Sequence, residues 1–305
     1  MVTLGDLIRH KKKRKREGYL DQEVLLQVRP ILQQFDSLVG MASVKQLVAR
    51  QACYFLQREL HQNRVQMMHT VITGPPGVGK TKVGHLLAQL YGSLGVLPRG
   101  HVVSTRRSEL IGQYLGETAI KTQKVVDSSL GGVLVIDEAY SLGGCSEDRA
   151  DSYSKECFDT LNRNLTENSD KFVCVIMGYE KSLQDSFFSM NEGLERRFSF
   201  RINLQPYSAE ELCLIFESMV AESGWWLQQD SCLLPLLREH HSTFRNHAGD
   251  VESFLYHVKF AHGVRMMEEK KGARVVTDQD LREGLVEFQK GRRRAEDDRF
   301  LSMYL

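Results

Sequence analysis

The 305 residues suffice for one or two domains with a sizeable core, and a hydrophobic share of 42% with a formal net charge of +1 is the balance of a globular chain. No apolar run approaches the ~20 residues that cross a bilayer, and the N-terminus lacks the apolar stretch of a secretory signal. A soluble, intracellular protein without membrane contact is therefore expected, and six cysteines with no C-x-x-C pair point to free thiols in a reduced compartment.

Charge is unevenly spread. Arg9, Lys11, Lys12, Lys13, Arg14, Lys15 and Arg16 carry +7, which leaves the remainder at −6. Such a run reads as a nuclear-import signal, as a nucleic-acid contact through Lys11 to Arg16, or as a solvated tail, so cytoplasm and nucleus both stay open. Val24, Leu25, Val28, Ile31, Leu32 and Phe35 then recur at helical spacing, with an interruption expected near Pro30. Phe35–Gly40 leads into a further helix carrying Val44, Leu47, Val48 and Phe55. Val39 and Gly40 in that lead-in are candidate contacts for an adenine ring.

The strongest signal is Gly74-Pro75-Pro76-Gly77-Val78-Gly79-Lys80-Thr81, which fits the phosphate-loop pattern G-x-x-x-x-G-K-[ST] at every defined position. A β-branched strand, His69–Thr73, precedes it, and Val83, Leu86, Leu87, Leu90, Tyr91 and Leu94 follow at helical spacing. Glycines let the backbone wrap an anion, and N–H groups at the helix start face the β-phosphate. Residues 75–82, Lys82 included, are the expected nucleotide contacts. Lys80 adds a positive charge, and Thr81 supplies a hydroxyl for Mg²⁺ between the β- and γ-phosphates.

Three further apolar runs follow at intervals long enough for helices: Val102-Val103, Val133–Ile136 and Phe172–Met177. Continuous apolar strands alternating with helices imply a parallel sheet covered on both faces. Phe198, Phe200, Ile202 and Leu204 alternate with polar residues, as a half-exposed edge strand does. The Val133–Ile136 strand ends in Asp137 and Glu138, a metal-holding carboxylate followed by a general base for the attacking water.

Beyond Pro206 the texture reads as helical only. Ser208-Ala209-Glu210-Glu211 is a capping box, Asp250 is a candidate cap for a helix with Val251, Phe254, Leu255 and Val258, and Thr277 for one with Leu281, Leu285 and Phe288. His240, His241 and His247 read as a solvated turn, because no paired cysteines accompany them to hold zinc. The expected divisions are a basic tail and leading helix at 1–34, an α/β domain at 35–205, a small helical domain at 206–292 and a charged tail at 293–305.

Phosphate loop, Asp-Glu strand end, five strands and a helical lid together resemble the AAA+ ATPases. The segments Gly100–Ser104, Leu110–Thr118, Gly131–Tyr140 and Met177–Tyr179 further resemble the branch of CbbX and sporulation stage V protein K, which includes the red-type Rubisco activases. The likeness runs from Phe35 to Phe288 and implies a P-loop NTPase sheet with an AAA+ lid. It also implies ATP and Mg²⁺ as cofactors, and a homo-oligomeric ring, usually a hexamer, with ATP between subunits. Asn191–Phe198 matches the segment that gives an arginine finger to a neighbour, with Arg197 aligning best and Arg196 the alternative. Tyr114, Leu115 and Gly116 match the pore loop that grips a substrate polypeptide. Two departures stand out: Gly178-Tyr179 closes the fourth strand in place of a polar sensor, and Gly249 falls where a nucleotide-sensing Arg is expected, with Arg245 the nearest substitute.

These readings converge on an ATP-hydrolysing ring motor that remodels an unidentified protein through a central pore. Two others compete: a nucleic-acid-associated ATPase acting through the basic run, and a nucleotide-gated scaffold with weak turnover. Rubisco enters as a substrate by family association alone, and family does not fix function.

Overall fold

A computed structural model describes residues 2–9, 20–57, 68–95, 97–114, 116–143, 152–269 and 274–303. The basic run from Lys11 to Arg16, Leu115 and Cys145 lie outside these. The chain divides into two compact units, residues 1–74 with 79–205, and residues 75–78 with 206–305. Among the described residues no helix is long and apolar enough to cross a membrane.

The first unit opens with α1 (Leu4–Arg9), α2 (Gln22–Ser37) and α3 (Ala42–Leu56). Asp21 caps α2, its carboxylate accepting from the N–H groups of Glu23 and Val24. Contrary to the expected interruption, α2 passes straight through Pro30. The carbonyl that loses its partner to proline is that of Leu26, which stands on the exposed face, where water replaces the missing donor.

The sheet comprises β1 (Thr70–Thr73), β2 (Val102–Thr105), β3 (Val133–Ile136), β4 (Val173–Gly178) and β5 (Phe200–Asn203). It is all parallel, in the order β2-β3-β4-β1-β5, which leaves the alternating strand β5 at an edge. Between the strands lie α4 (Lys80–Ser93), the short α5 (Arg107–Leu110), α6 (Glu117–Ser129), α7 (Ser152–Glu167) and α8 (Glu192–Arg197), with a helical turn Glu180–Ser182 running into a π-helix Leu183–Phe188 ahead of α8.

Alternation along the strands builds the two faces. Val71, Leu134, Ile136, Cys174 and Ile176 enter one buried cluster with Val126 of α6 and Phe158, Leu161 and Leu165 of α7. The other face meets α4. There the Tyr91 hydroxyl lies 3.3 Å from Thr70 Oγ1 and donates to Gln51. A Cβ on Gly84 would stand 2.2 Å from the Met177 sulfur, so with Met177 as placed only glycine lets α4 pack this closely on that side chain.

His69, just before β1, has no exposed surface and packs against Phe172 and Phe198. Its Nδ1 accepts from the Cys174 N–H at 2.9 Å, which puts the ring proton on Nε2, facing the Leu165 carbonyl at 3.4 Å.

The second unit contains α9 (Ala209–Glu222), α10 (Leu233–Glu239), α11 (His247–Glu269) and α12 (Asp278–Met303). The Ser208–Glu211 capping box forms in both directions, and Thr277 caps α12 in a reciprocal exchange with Asp280. Three expectations are corrected. Two short strands, β6 (Trp226–Leu227) and β7 (Val275–Val276), pair in parallel within this unit, so it is not helical only. Asp250 lies one turn inside α11, where its carboxylate accepts from the Asn246 N–H and pairs with Arg292. The charged end expected as a tail from 293 continues α12 to Met303.

A buried cluster of three groups shapes this unit's core: Asp280 accepts from Arg265 at 2.8 Å and lies 3.3 Å from the His262 ring. Residues 75–78 belong to the same unit. Gly77 O accepts from the Ala248 N–H and Val78 O from the Tyr207 hydroxyl, each at 3.2 Å.

Burial pushes the His69 imidazole from its ordinary 6.5 down to about 4. The folded state thus holds a neutral ring that the unfolded chain protonates first, so this stability is complete above pH 6.5 and is lost as pH falls toward 4. Denaturant unfolding between pH 7.5 and 4.5 should show a decline of up to about 3 kcal/mol from this residue. His69→Gln should start less stable but lose less across that window.

Candidate functional site

Three strand ends supply the site. The parallel register aligns Thr73 with Gly178 and Ile136 with Ile176, so the segments leaving β1, β3 and β4 emerge along one edge of the sheet. From β1 the chain enters the loop at Gly74. Gly77 and Gly79 there hold φ of 70° and 89°, which side-chain-bearing residues rarely adopt. Gly79 directly precedes α4, and no side chain caps that helix, so its first-turn N–H groups are donors suited to phosphate oxygens.

Lys80, the first residue of α4, donates from Nζ to the Gly74 carbonyl at 2.9 Å. Burial pushes its ammonium below the ordinary lysine range, while the charges of Asp137 and Glu138 act in the opposite direction. Thr81, one residue on, donates from Oγ1 to Asp137 Oδ2 at 3.0 Å. The other oxygen, Asp137 Oδ1, accepts from the Glu138 N–H at 3.0 Å. Glu138 itself is exposed and holds φ 50°, ψ 42°, a left-handed conformation that is costly for a residue with a Cβ.

Thr81 and Asp137 offer hard oxygen donors a hydrogen bond apart, a pair that fits Mg²⁺. Among the described residues no group of three His, Cys, Asp or Glu could complete a cage. The remaining ligands would be phosphate and water oxygens, the usual arrangement for this ion.

Beyond Glu138, Tyr140 sits in a 3₁₀ turn (Ala139–Leu142) that Arg107 fixes by donating to the Ser141 and Leu142 carbonyls. The Tyr140 ring stacks on Tyr179, which leaves β4, at 5.3 Å between centroids. Burial, then the charge of Glu138, push the Tyr140 hydroxyl up to about 12. Sequence reading passed over Tyr140 and regarded Tyr179 only as a departure from a polar sensor, because the stack joins residues from two strand ends.

The other expected positions differ in surroundings. Val39 and Gly40 are half-buried just before α3. Lys82 is exposed on the first turn of α4. Tyr114 is 73% exposed, and its loop is tied at the base by Glu117, whose carboxylate accepts from the Gln113 and Tyr114 N–H groups. Gly116, beside it, is the residue from which α6 starts. Arg197 is half-buried at the end of α8 and donates to Thr166 Oγ1 at 2.7 Å and to the Gly193 carbonyl. Arg196 is exposed, and the neighbouring Glu195 pairs with Arg201 at 2.8 Å.

In the second unit Gly249 lies exposed in the first turn of α11, with nothing within 4 Å of the position a Cβ would take. His247 is buried, with its ring 6.2 Å from Tyr207, so it is no part of a solvated turn.

Residues 70–206 match the model of the ATPase family associated with various cellular activities (AAA). Over its whole length the chain is 38% identical to a putative cfxQ-like protein of Acanthamoeba polyphaga mimivirus, of which it spans 75%. It is 34% identical to stage V sporulation protein K of Bacillus subtilis across 67% of this chain and 64% of that protein. Among solved structures, the FIGL-1 AAA domain in complex with ADP superposes with a TM-score of 0.60 at 18% identity, over 82% of each chain.

Removing the ammonium at the loop should cost the charge-assisted contact to phosphate. Lys80→Ala is expected to lower ATP affinity by a factor of about 10 to 100 in equilibrium binding. Undiminished affinity would separate the loop from the nucleotide.

Proposed function

Since this chain belongs to the AAA ATPase family, in the branch of the CfxQ, CbbX and stage V sporulation protein K proteins, we propose that it hydrolyses ATP as a ring of like subunits and uses the cycle to remodel a protein held in the pore by Tyr114. The observation that carries this reading is the gathering of Lys80, Thr81, Asp137 and Glu138 at one sheet edge, with Thr81 and Asp137 already hydrogen-bonded. These are the four roles that phosphoryl transfer to water requires of one subunit.

In this scheme the loop N–H groups and Lys80 hold the β- and γ-phosphates, and Thr81 and Asp137 would hold Mg²⁺, which would supply positive charge against the phosphates. Glu138 accepts a hydrogen bond from the attacking water and takes its proton as the new oxygen–phosphorus bond forms and the bond from the γ-phosphorus to the β,γ-bridging oxygen breaks, so that ADP leaves with that oxygen and inorganic phosphate is released. A guanidinium from a neighbouring subunit stabilises the charge that develops on the γ-phosphoryl oxygens. Arg197 is the first candidate by alignment, while the exposure of Arg196 keeps it in contention.

Assembly is supported by apolar surface on the second unit. Tyr256, Phe260, Val264 and Met267 stand exposed along α11, with Val286 exposed on α12, a concentration of large apolar groups that isolated soluble domains seldom leave to water. The pore role rests on the exposed Tyr114 ring above a tied loop, a surface able to press on varied side chains without reading their order. The protein gripped is of unspecified sequence.

ATPase rate per subunit, measured against protein concentration with size determined alongside, tests the shared site. The rate should rise with assembly. Arg197→Ala should lower turnover by about 10³ to 10⁵ while sparing ATP binding. The same loss in Arg196→Ala alone would move the finger by one residue, and full turnover in both variants would overturn the ring mechanism. Assembly driven by ATP with no effect of Glu138→Gln would point instead to a nucleotide-gated scaffold.

Tyr114→Ala is expected to keep ATP turnover within about twofold and to lose coupling to substrate, since an exposed ring makes no packing contribution to the fold. Loss of nucleotide binding in that variant would make Tyr114 a structural residue.

A further inference from the structure

Lys80 is held from more than one side. Its Nζ lies 4.5 Å from the centroid of the Tyr179 ring, over the face, as well as donating to the Gly74 carbonyl. Tyr179 is backed in turn by Tyr140, with ring planes only 27° apart. The backing ring is seated by its surroundings. A Cβ on Gly178 would fall 2.9 Å from both Leu183 Cγ and Tyr140 Cδ1, so glycine there leaves the Tyr140 ring its place beside β4. Ser186 donates to the Tyr140 carbonyl at 2.9 Å, and Arg107 holds the two carbonyls that follow. A lysine, a ring, a second ring and a pinned turn thus form one stack.

We propose that Tyr179 is a positioning residue for nucleotide binding, its ring face holding the Lys80 ammonium where the phosphates meet it. The proposal rests on the ATP-binding reading above and adds a residue to it. The physical case is one of sign. A lysine partly withdrawn from water needs a compensating partner, and a carboxylate in this position would both pair with it and repel the incoming phosphates. A π-face offers negative density without a net charge, so it steadies the ammonium and leaves the field at the phosphate site positive. Tyr140 contributes by holding the Tyr179 ring broadside to Nζ.

Affinity for ATP with Mg²⁺, and kcat at saturating ATP, separate this role from plain packing. Tyr179→Phe retains the ring and should bind ATP within about twofold of wild type. Tyr179→Leu keeps apolar bulk without a π-face and should weaken binding roughly 3-fold to 30-fold, with a smaller change in kcat. Phenylalanines carrying one, two and three fluorines at position 179 keep shape while draining the ring face. They should raise Kd stepwise, and this series stands in for the leucine variant if that fails to fold. A flat fluorine series, or equal Kd for the Phe and Leu variants, overturns the proposal. Lys80→Ala is measured alongside. If wild type and Lys80→Ala bind ATP alike, the nucleotide reading itself fails; if only the ring series is flat, that reading survives and the positioning role alone is lost.

Discussion

The register of the three central strands is the constraint on which the rest depends. Parallel pairing of β1 with β4 and of β4 with β3 brings Gly74, Asp137 and Tyr179 out of the sheet side by side. These groups are far apart in sequence, and nothing local to any of them places it near the others. A slip of one residue in β3 would turn Leu134 and Ile136 away from the α6 and α7 side and carry the Asp137 carboxylate away from Thr81. Core packing and site geometry are thus one requirement: the residues that bury the sheet also fix where the carboxylates stand.

Charge at the site is arranged with the same economy. Lys80 is the cation, Asp137 and Glu138 support it, and a carbonyl and a ring, neither of which carries a net charge, are among its near partners. Glu138 reaches solvent by taking a left-handed backbone that turns its side chain out of the strand direction. Strain of this kind gathers where function over-determines a conformation, and the role of general base proposed for Glu138 calls for a side chain that faces water.

Much of this was legible because the signals are local. The phosphate loop, the Asp-Glu strand end, the Ser208–Glu211 capping box and the Thr277 cap are short spacings with a physical reason attached, and the half-exposed alternation of β5 announced an edge. What escaped was decided by tertiary surroundings. Pro30 is a helix breaker only where the lost donor is missed, and on the exposed side of α2 water substitutes for it. β6 and β7 are two residues each, too short for any periodicity to register. His69 looked like part of a strand, and its buried, neutral, doubly hydrogen-bonded state follows from Phe172, Cys174 and Leu165, about a hundred positions away. Asp250 is a good capping residue by type, yet Arg292 and Asn246 claim its carboxylate.

Gly84 carries a consequence of another kind. Its missing methyl leaves room for the Met177 side chain between α4 and β4, and α4 begins with Lys80 and Thr81, so packing at this point bears on where the loop presents its donors. Alanine there would force Met177 or the helix to yield, and most of the core would accommodate it. Where the helix is what yields, Lys80 and Thr81 travel with it, so a fault in core packing reaches the loop just upstream of them as well as the stability of the layer.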